Sequence, residues 1–132
     1  MSATKRSGAA RSRPHTYQIA IGLDRAARIA VGRLGEFAFP AGRYVYTGSA
    51  KRGLEARVRR HLSRAKRLHW HIDHLLAAPG ARVLGVEVSD EPECALNQRT
   101  RGAIVVPGFG ASDCRCGCGS HLKFAANPHS PP

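Results

Sequence analysis

The stretch RYVYTGSAKRGLEARVRRHLSRAKRLHWHIDHLL, Arg43 to Leu76, decides how this chain is read. Arg43 to Thr47 alternates, with Tyr44 and Tyr46 on one face and Val45 on the other, so it reads as a strand. Gly48-Ser49-Ala50 is a tight turn. Leu54 to Arg67 reads as a helix. At ~100° per residue from Leu54, Val58, Leu62 and Ala65 fall within one stripe about 80° wide. Arg57, Arg60 and Arg64 lie together on one flank of that stripe, and His61 sits at its border. Ordinary solvated faces mix charge signs, whereas this helix carries a single acid, Glu55. The helix is therefore expected to pack its stripe on the sheet and present guanidinium groups to phosphate. Lys51, Arg52, Arg60 and Arg64 are assigned to nucleic-acid contact on the same ground.

Working outward toward the N-terminus, Tyr17 to Ile21 and Arg28 to Val31 alternate and read as two strands forming a hairpin around the Asp24–Ala27 turn. Gly32 to Gly35 is a second turn, and Glu36 to Phe39 a short strand ended by Pro40-Ala41-Gly42. Sequential antiparallel strands imply one small meander. Toward the C-terminus, His69 to Ala77 reads as a second helix with Trp70, Leu75 and Leu76 as core candidates, ended by Pro79-Gly80. Arg82 to Val88 has strand composition. Asp90-Glu91-Pro92 starts a third helix, about Glu93 to Arg101, with acids and proline in its first turn. Ile104 to Val106 reads as a short strand, residues 107–119 as a glycine-rich loop, and Ser120 to Ala125 as a last strand. Residues 1–14 read as a disordered basic tail, residues 15–126 as one domain, and residues 127–132 as a flexible tail. The fold class expected is α+β.

The chain has 132 residues and a 42% hydrophobic share, enough for one core. Its formal net charge is +12 and its sequence pI about 10.8. Such a balance points to polyanionic partners, with nucleic acid, taken as DNA, ahead of a membrane surface. No stretch approaches the ~18 consecutive apolar residues of a membrane span. The first residues lack the apolar core of a secretory signal, so a cytoplasmic, reducing location is expected. The four cysteines are then thiols or metal ligands rather than disulfides.

Tyr17, Tyr46, Arg57 and Glu93 carry the strongest chemical suggestion. Phosphodiester hydrolysis needs an activated water, a cation on the scissile phosphate and a means of offsetting charge on the leaving oxygen. Arginine offers phosphate a fixed fork of donors. Each residue alone is weak evidence, because a strand tyrosine usually packs and a first-turn glutamate often answers the helix dipole.

The order Pro14-His15-Thr16-Tyr17, Tyr46-Thr47-Gly48, Leu54-Glu55-Ala56-Arg57, His61 and Glu93-Cys94-Ala95-Leu96 resembles the GIY-YIG nuclease superfamily. A small branch of it is similar through Tyr44 to Ala50, Trp70-His71-Ile72-Asp73, Glu93-Cys94 and Gly108 to Cys114. The likeness spans nearly all of residues 15 to 125. The first motif keeps only its tyrosine, and the interval from Tyr17 to Tyr46 is longer than the pattern's, by an extra hairpin. The resemblance implies a small antiparallel β-sheet flanked by α-helices and a metal-dependent endonuclease. Tyr17 would serve as base or orient the water, with Tyr46 assisting. Arg57 would bind the phosphate, His61 would add a polar contact, and Glu93 would hold one Mg²⁺ or Mn²⁺, which keeps most of its hydration.

Two alternatives stay open. One is a non-catalytic nucleic-acid-binding module on the same fold. The other is zinc, suggested by His69, His71, His74 and the Cys114, Cys116, Cys118, His121 run. Structural zinc favours two to four residues between paired cysteines, and neighbours in this run are one apart, so zinc ranks lower. On the ordinary reading Trp70 and His71 pack near the site, while Asp113 and His121 close a glycine-supported loop over it.

Overall fold

A computed structural model describes residues 14–50, 52–63, 68–111, 114 and 117–125. The tails expected at 1–14, apart from Pro14, and at 127–132, with residues Lys51 and Arg64, lie outside the described residues. Strands β1 (Thr16–Leu23), β2 (Ala27–Ala30), β3 (Glu36–Phe39) and β4 (Gly42–Ser49) precede helices α1 (Leu54–Leu62) and α2 (His71–Leu76). Strand β5 (Ala81–Ser89), helix α3 (Glu93–Arg99) and strand β6 (Leu122–Ala125) follow. The fold is α+β, as expected from the alternation of periods.

The main sheet is four-stranded in the order β5-β1-β4-β6, and every pairing is antiparallel. The expected meander is therefore corrected. β1 does not form a hairpin with β2; it lies between β4 and β5, while β2 pairs only with β3 in a separate ribbon. A hairpin needs only a short turn, but β1 is apolar enough to be buried in a sheet centre, and a central strand needs partners on both edges. The ribbon thus forms the extra hairpin between Tyr17 and Tyr46. Ile104 to Val106 is not a strand; the residue before it, Ala103, bridges to Phe124, while Val106 is buried in the core.

Period-two alternation gives the sheet two unlike faces. Tyr17, Ile19, Ile21 and Leu23 line one face of β1, and Tyr44 and Tyr46 answer them from β4, with Ile19 opposite Tyr46 and Ile21 opposite Tyr44. Ile72 and Leu75 of α2 complete this core, joined by Val106, Phe109 and Leu122, with Leu54 and Val58 of α1 packed against it. Fully burying one such aliphatic side chain contributes roughly 1.5–3 kcal/mol, so this face holds most of the stability. The opposite face carries α3, where the Gln18 amide donates to Thr47 and Thr100 at 3.0 and 2.8 Å.

Helix α1 ends at Leu62, with Ser63 extended as its C-cap; the rest of the helix expected from the sequence, residues 64–67, lies outside the described residues. Leu62 is 48% exposed while His61 is 2% exposed. The inward positions are Leu54, Val58 and His61, a 4-3 spacing, so the histidine takes the third place in the stripe. Glu55 in the first turn and Arg59, Arg60 and His61 in the last match the helix dipole.

Candidate functional site

Three rings from three elements meet at one end of the sheet. The Tyr17 hydroxyl and His61 Nε2 are 2.7 Å apart. Ring centroids of Tyr17 and Tyr46 lie 6.3 Å apart, and those of Tyr46 and His61 6.2 Å apart. Gly48 makes the first of these contacts feasible. It stands opposite Tyr17 in the β1–β4 register, and a Cβ there would lie 2.6 Å from the Tyr17 hydroxyl. Gly110 does the same for Tyr46: its φ is +67°, and a Cβ would lie 2.9 Å from the Tyr46 ring. Burial pushes the Tyr17 phenol up to about 12, although Arg57 beside it pulls the other way. Burial also raises Tyr46. Both phenols are thus neutral at physiological pH and act as hydrogen-bonding groups.

Arg57 and Arg60 stand one turn apart on α1 and share Trp70. Each guanidinium carbon is 4.5 Å from the indole centroid. Arg57 Nη1 donates to the Ser49 carbonyl at 3.0 Å. Arg60 instead forms a bidentate pair with Asp73, Nη1 to Oδ1 at 3.0 Å and Nη2 to Oδ2 at 3.1 Å. Asp73 is fully buried and also accepts the backbone N–H groups of His69 and Trp70 at 2.7 and 2.8 Å, closing the first turn of α2. Burial would raise its pKa, but the Arg60 hydrogen bonds and then the two N–H donors hold the carboxyl below its usual range. Asp73 Oδ1 is 3.9 Å from His61 Nδ1, so a negative charge faces the far side of the ring that meets Tyr17.

Glu93 opens α3 and reaches the same end of the sheet. Its Oε1 accepts the Ser49 hydroxyl at 2.5 Å, and its Oε2 lies 2.7 Å from His121 Nδ1. Burial raises its pKa, yet these contacts, His121 first and Ser49 next, leave it lowered. For His121 burial disfavours the cation, but the Glu93 hydrogen bond and then the neighbouring thiols push it up to about 10. The expected Mg²⁺ or Mn²⁺ at Glu93 is not supported. Such ions take oxygen ligands, and both carboxylate oxygens are held by Ser49 and His121, with Arg57 a further cation at the carboxylate.

A second arrangement does suit a metal. Cys94, one residue beyond Glu93 on α3, meets Cys114, Cys118 and His121, and one ligand atom from each lies within 4.8 Å of all the others. This group can hold a metal ion, and thiols with an imidazole fit zinc. The sequence reading counted neighbouring cysteines and so saw single-residue gaps. Among the described residues, those that converge in this run are spaced Cys-x₃-Cys-x₂-His, inside the range zinc sites use, while Cys116 lies outside the described residues.

Of the expected site residues, Tyr17, Tyr46, Arg57, His61 and Glu93 gather at one end of the main sheet. Arg52 is exposed on the turn before α1. Arg60 is directed into the Asp73 pair, and Lys51 and Arg64 are outside the described residues, as is Asp113. His71 Nδ1 accepts the Gly110 N–H at 2.8 Å, tying α2 to the glycine loop. Ser49, Asp73 and Cys94 were not read as site residues. Ser49 and Cys94 each adjoin a glycine or an acid already singled out, and Asp73 has the N3 spacing of a helix cap.

The chain belongs to the family described as Domain of unknown function DUF123, whose model matches residues 16–131. Neither a curated protein nor a solved structure matches it.

Proposed function

We propose that this chain is a phosphodiester-cleaving nuclease acting on DNA through Tyr17, Tyr46, Arg57, His61 and Glu93. The observation that supports it most is the convergence of residues separated by up to 76 positions, with Tyr17 and His61 in a 2.7 Å contact beside a guanidinium. In this reading Arg57 grips non-bridging phosphate oxygens and offsets transition-state charge. The Asp73 carboxylate favours a proton on His61 Nδ1, leaving Nε2 to accept from Tyr17. As water attacks phosphorus and the bond to the leaving oxygen breaks, the water's proton passes to the Tyr17 oxygen while the phenol proton moves to His61, and the leaving oxygen takes a proton from solvent. A neutral phenol suits this relay better than a free phenolate base. Tyr46 shapes the wall against which the tyrosine is held.

Glu93 holds Ser49 and His121 in place, and no step is routed through a Mg²⁺ or Mn²⁺ ion. A divalent ion enters as an arm of the test. Supercoiled plasmid is incubated with wild type, Arg57→Ala and Glu93→Ala, in Mg²⁺, Mn²⁺ or chelator. Nicking by wild type, lowered at least about 100-fold in Arg57→Ala, is expected for a lost charge-stabilising donor. Equal nicking by all three proteins rejects the site.

One observation favours a second reading, a non-catalytic nucleic-acid-binding module. The polar groups of the pocket satisfy one another: Tyr17 with His61, Glu93 with Ser49 and His121, Arg60 with Asp73. Salt-sensitive DNA binding without turnover under any metal condition would establish it.

A further inference from the structure

Cys94 is carried by a helix and Cys114, Cys118 and His121 by the glycine-rich segment that precedes β6. Nothing in the nuclease chemistry uses these thiols. His121 is 2% exposed, and its Nδ1 is engaged by Glu93 and the Thr47 carbonyl. Its Nε2 is buried and makes no hydrogen bond. A buried ring nitrogen without a partner is costly, and here the neighbouring side chains are the thiols of Cys114 and Cys118. The Cys94 and Cys114 sulfurs are 3.6 Å apart, far beyond the ~2.05 Å of a disulfide. A tetrahedral zinc with Zn–S bonds of about 2.3 Å has sulfur–sulfur edges of about 3.8 Å. Gln98, one turn beyond Cys94, directs its amide N–H at Cys118 Sγ from 3.5 Å, the kind of donor that steadies a metal-bound thiolate.

We propose that Cys94, Cys114, Cys118 and His121 Nε2 form a four-coordinate structural zinc site that clamps the 107–121 loop to α3. With four protein ligands the site is closed, so the ion holds structure and offers no open position for water. Its outer partner is Glu93, which accepts from His121 Nδ1 and thereby fixes the ring with Nε2 toward the metal. The loop gains its anchor next to Gly110, Tyr46 and His71. Zinc thus supports the wall of the tyrosine pocket from outside it.

The test uses the full chain purified without chelator and needs no substrate, so it stands apart from the nuclease reading. Elemental mass spectrometry should find about one zinc per chain. Cys94→Ser and Cys118→Ser should each bind it at least about 100-fold more weakly, whereas Cys116→Ser should keep it. Cobalt exchanged into the wild type should give the strong visible bands of a tetrahedral ion, with charge-transfer intensity of three thiolates. His121→Ala should alter those bands. Should a serine variant fail to fold, the wild-type metal count and the cobalt spectrum still decide. Absence of stoichiometric zinc even after zinc is supplied overturns the site. A four-thiolate spectrum, or metal lost in Cys116→Ser and kept in Cys118→Ser, overturns this ligand set.

Discussion

At the scale of single residues the pocket depends on what is left out as much as on what is present. Gly48 lets the Tyr17 hydroxyl lie across β4, so Gly48→Ala is expected to displace the phenol from His61. The strain should cost about 1–3 kcal/mol, read as a lowered denaturation midpoint with the slope unchanged. A variant as stable as wild type would mean the ring has room that the 2.6 Å approach denies. Asp73 makes the opposite case, a charge that is wholly enclosed and fully partnered. Asp73→Asn removes the charge that pairs with Arg60 and one of its two acceptor oxygens, and should lower stability by roughly 3 kcal/mol, the low end for a buried pair because Arg60 keeps some water contact. The folded carboxyl titrates below its unfolded value, so its contribution is present above the usual carboxylate pKa of about 4 and fades as pH falls through the folded value. The gap in thermal midpoint between wild type and Asp73→Asn should therefore narrow from pH 7 to pH 3. A gap that does not change with pH would remove the ion pair from the explanation. Tyr17, Tyr46, Arg57 and Glu93 were singled out by their combined order along the chain, each alone being weak evidence, and the fold brings them to one end of the sheet. Cys94 as a ligand was not, since 20 residues separate it from Cys114 and only tertiary packing brings them together.

Among elements, type was legible and partnership was not. Alternation located β1, β3 and β4, and the 3.6-residue period located α1, because each depends on local spacing alone. The choice of β1's neighbours depends on which strands can cover a strand buried on both edges, and nothing in a hairpin-length turn encodes that. The same limit explains Leu62. Pattern alone ranked leucine above histidine for the inward position, yet His61 lies inside, where its Nε2 meets the Tyr17 hydroxyl at 2.7 Å and its Nδ1 faces the Asp73 carboxylate at 3.9 Å. Helix α2 is only six residues long, too short to persist without packing. Ile72 and Leu75 must hold it in place, so Ile72→Ala should cost about 2–5 kcal/mol. Hydrogen exchange should then report faster opening of α2 than of β1. Uniform acceleration across both would show that α2 and the sheet open as one unit.

For the molecule as a whole, charge and convergence lead to one account. If the chain acts on DNA as proposed, a net charge of +12 makes that binding one governed by counterion release. Affinity for a labelled duplex should fall steeply between 50 and 200 mM salt, with a log–log slope of about −0.9 per phosphate contacted. A flat response would take the polyanion away from the basic surface. Two proposals remain separate in this picture: the zinc proposed beside α3 concerns how the glycine loop is held, and the relay proposed at the Tyr17–His61 contact concerns proton movement. The central claim is that three distant segments fold into one hydrolytic site. It is tested most directly by the initial plasmid-nicking rate of Tyr17→Phe against wild type, which removes one oxygen and leaves the ring packed. The expected result is a fall of about 10²–10⁴-fold with the thermal midpoint almost unchanged; equal rates, or no nicking by the wild type itself, would contradict it.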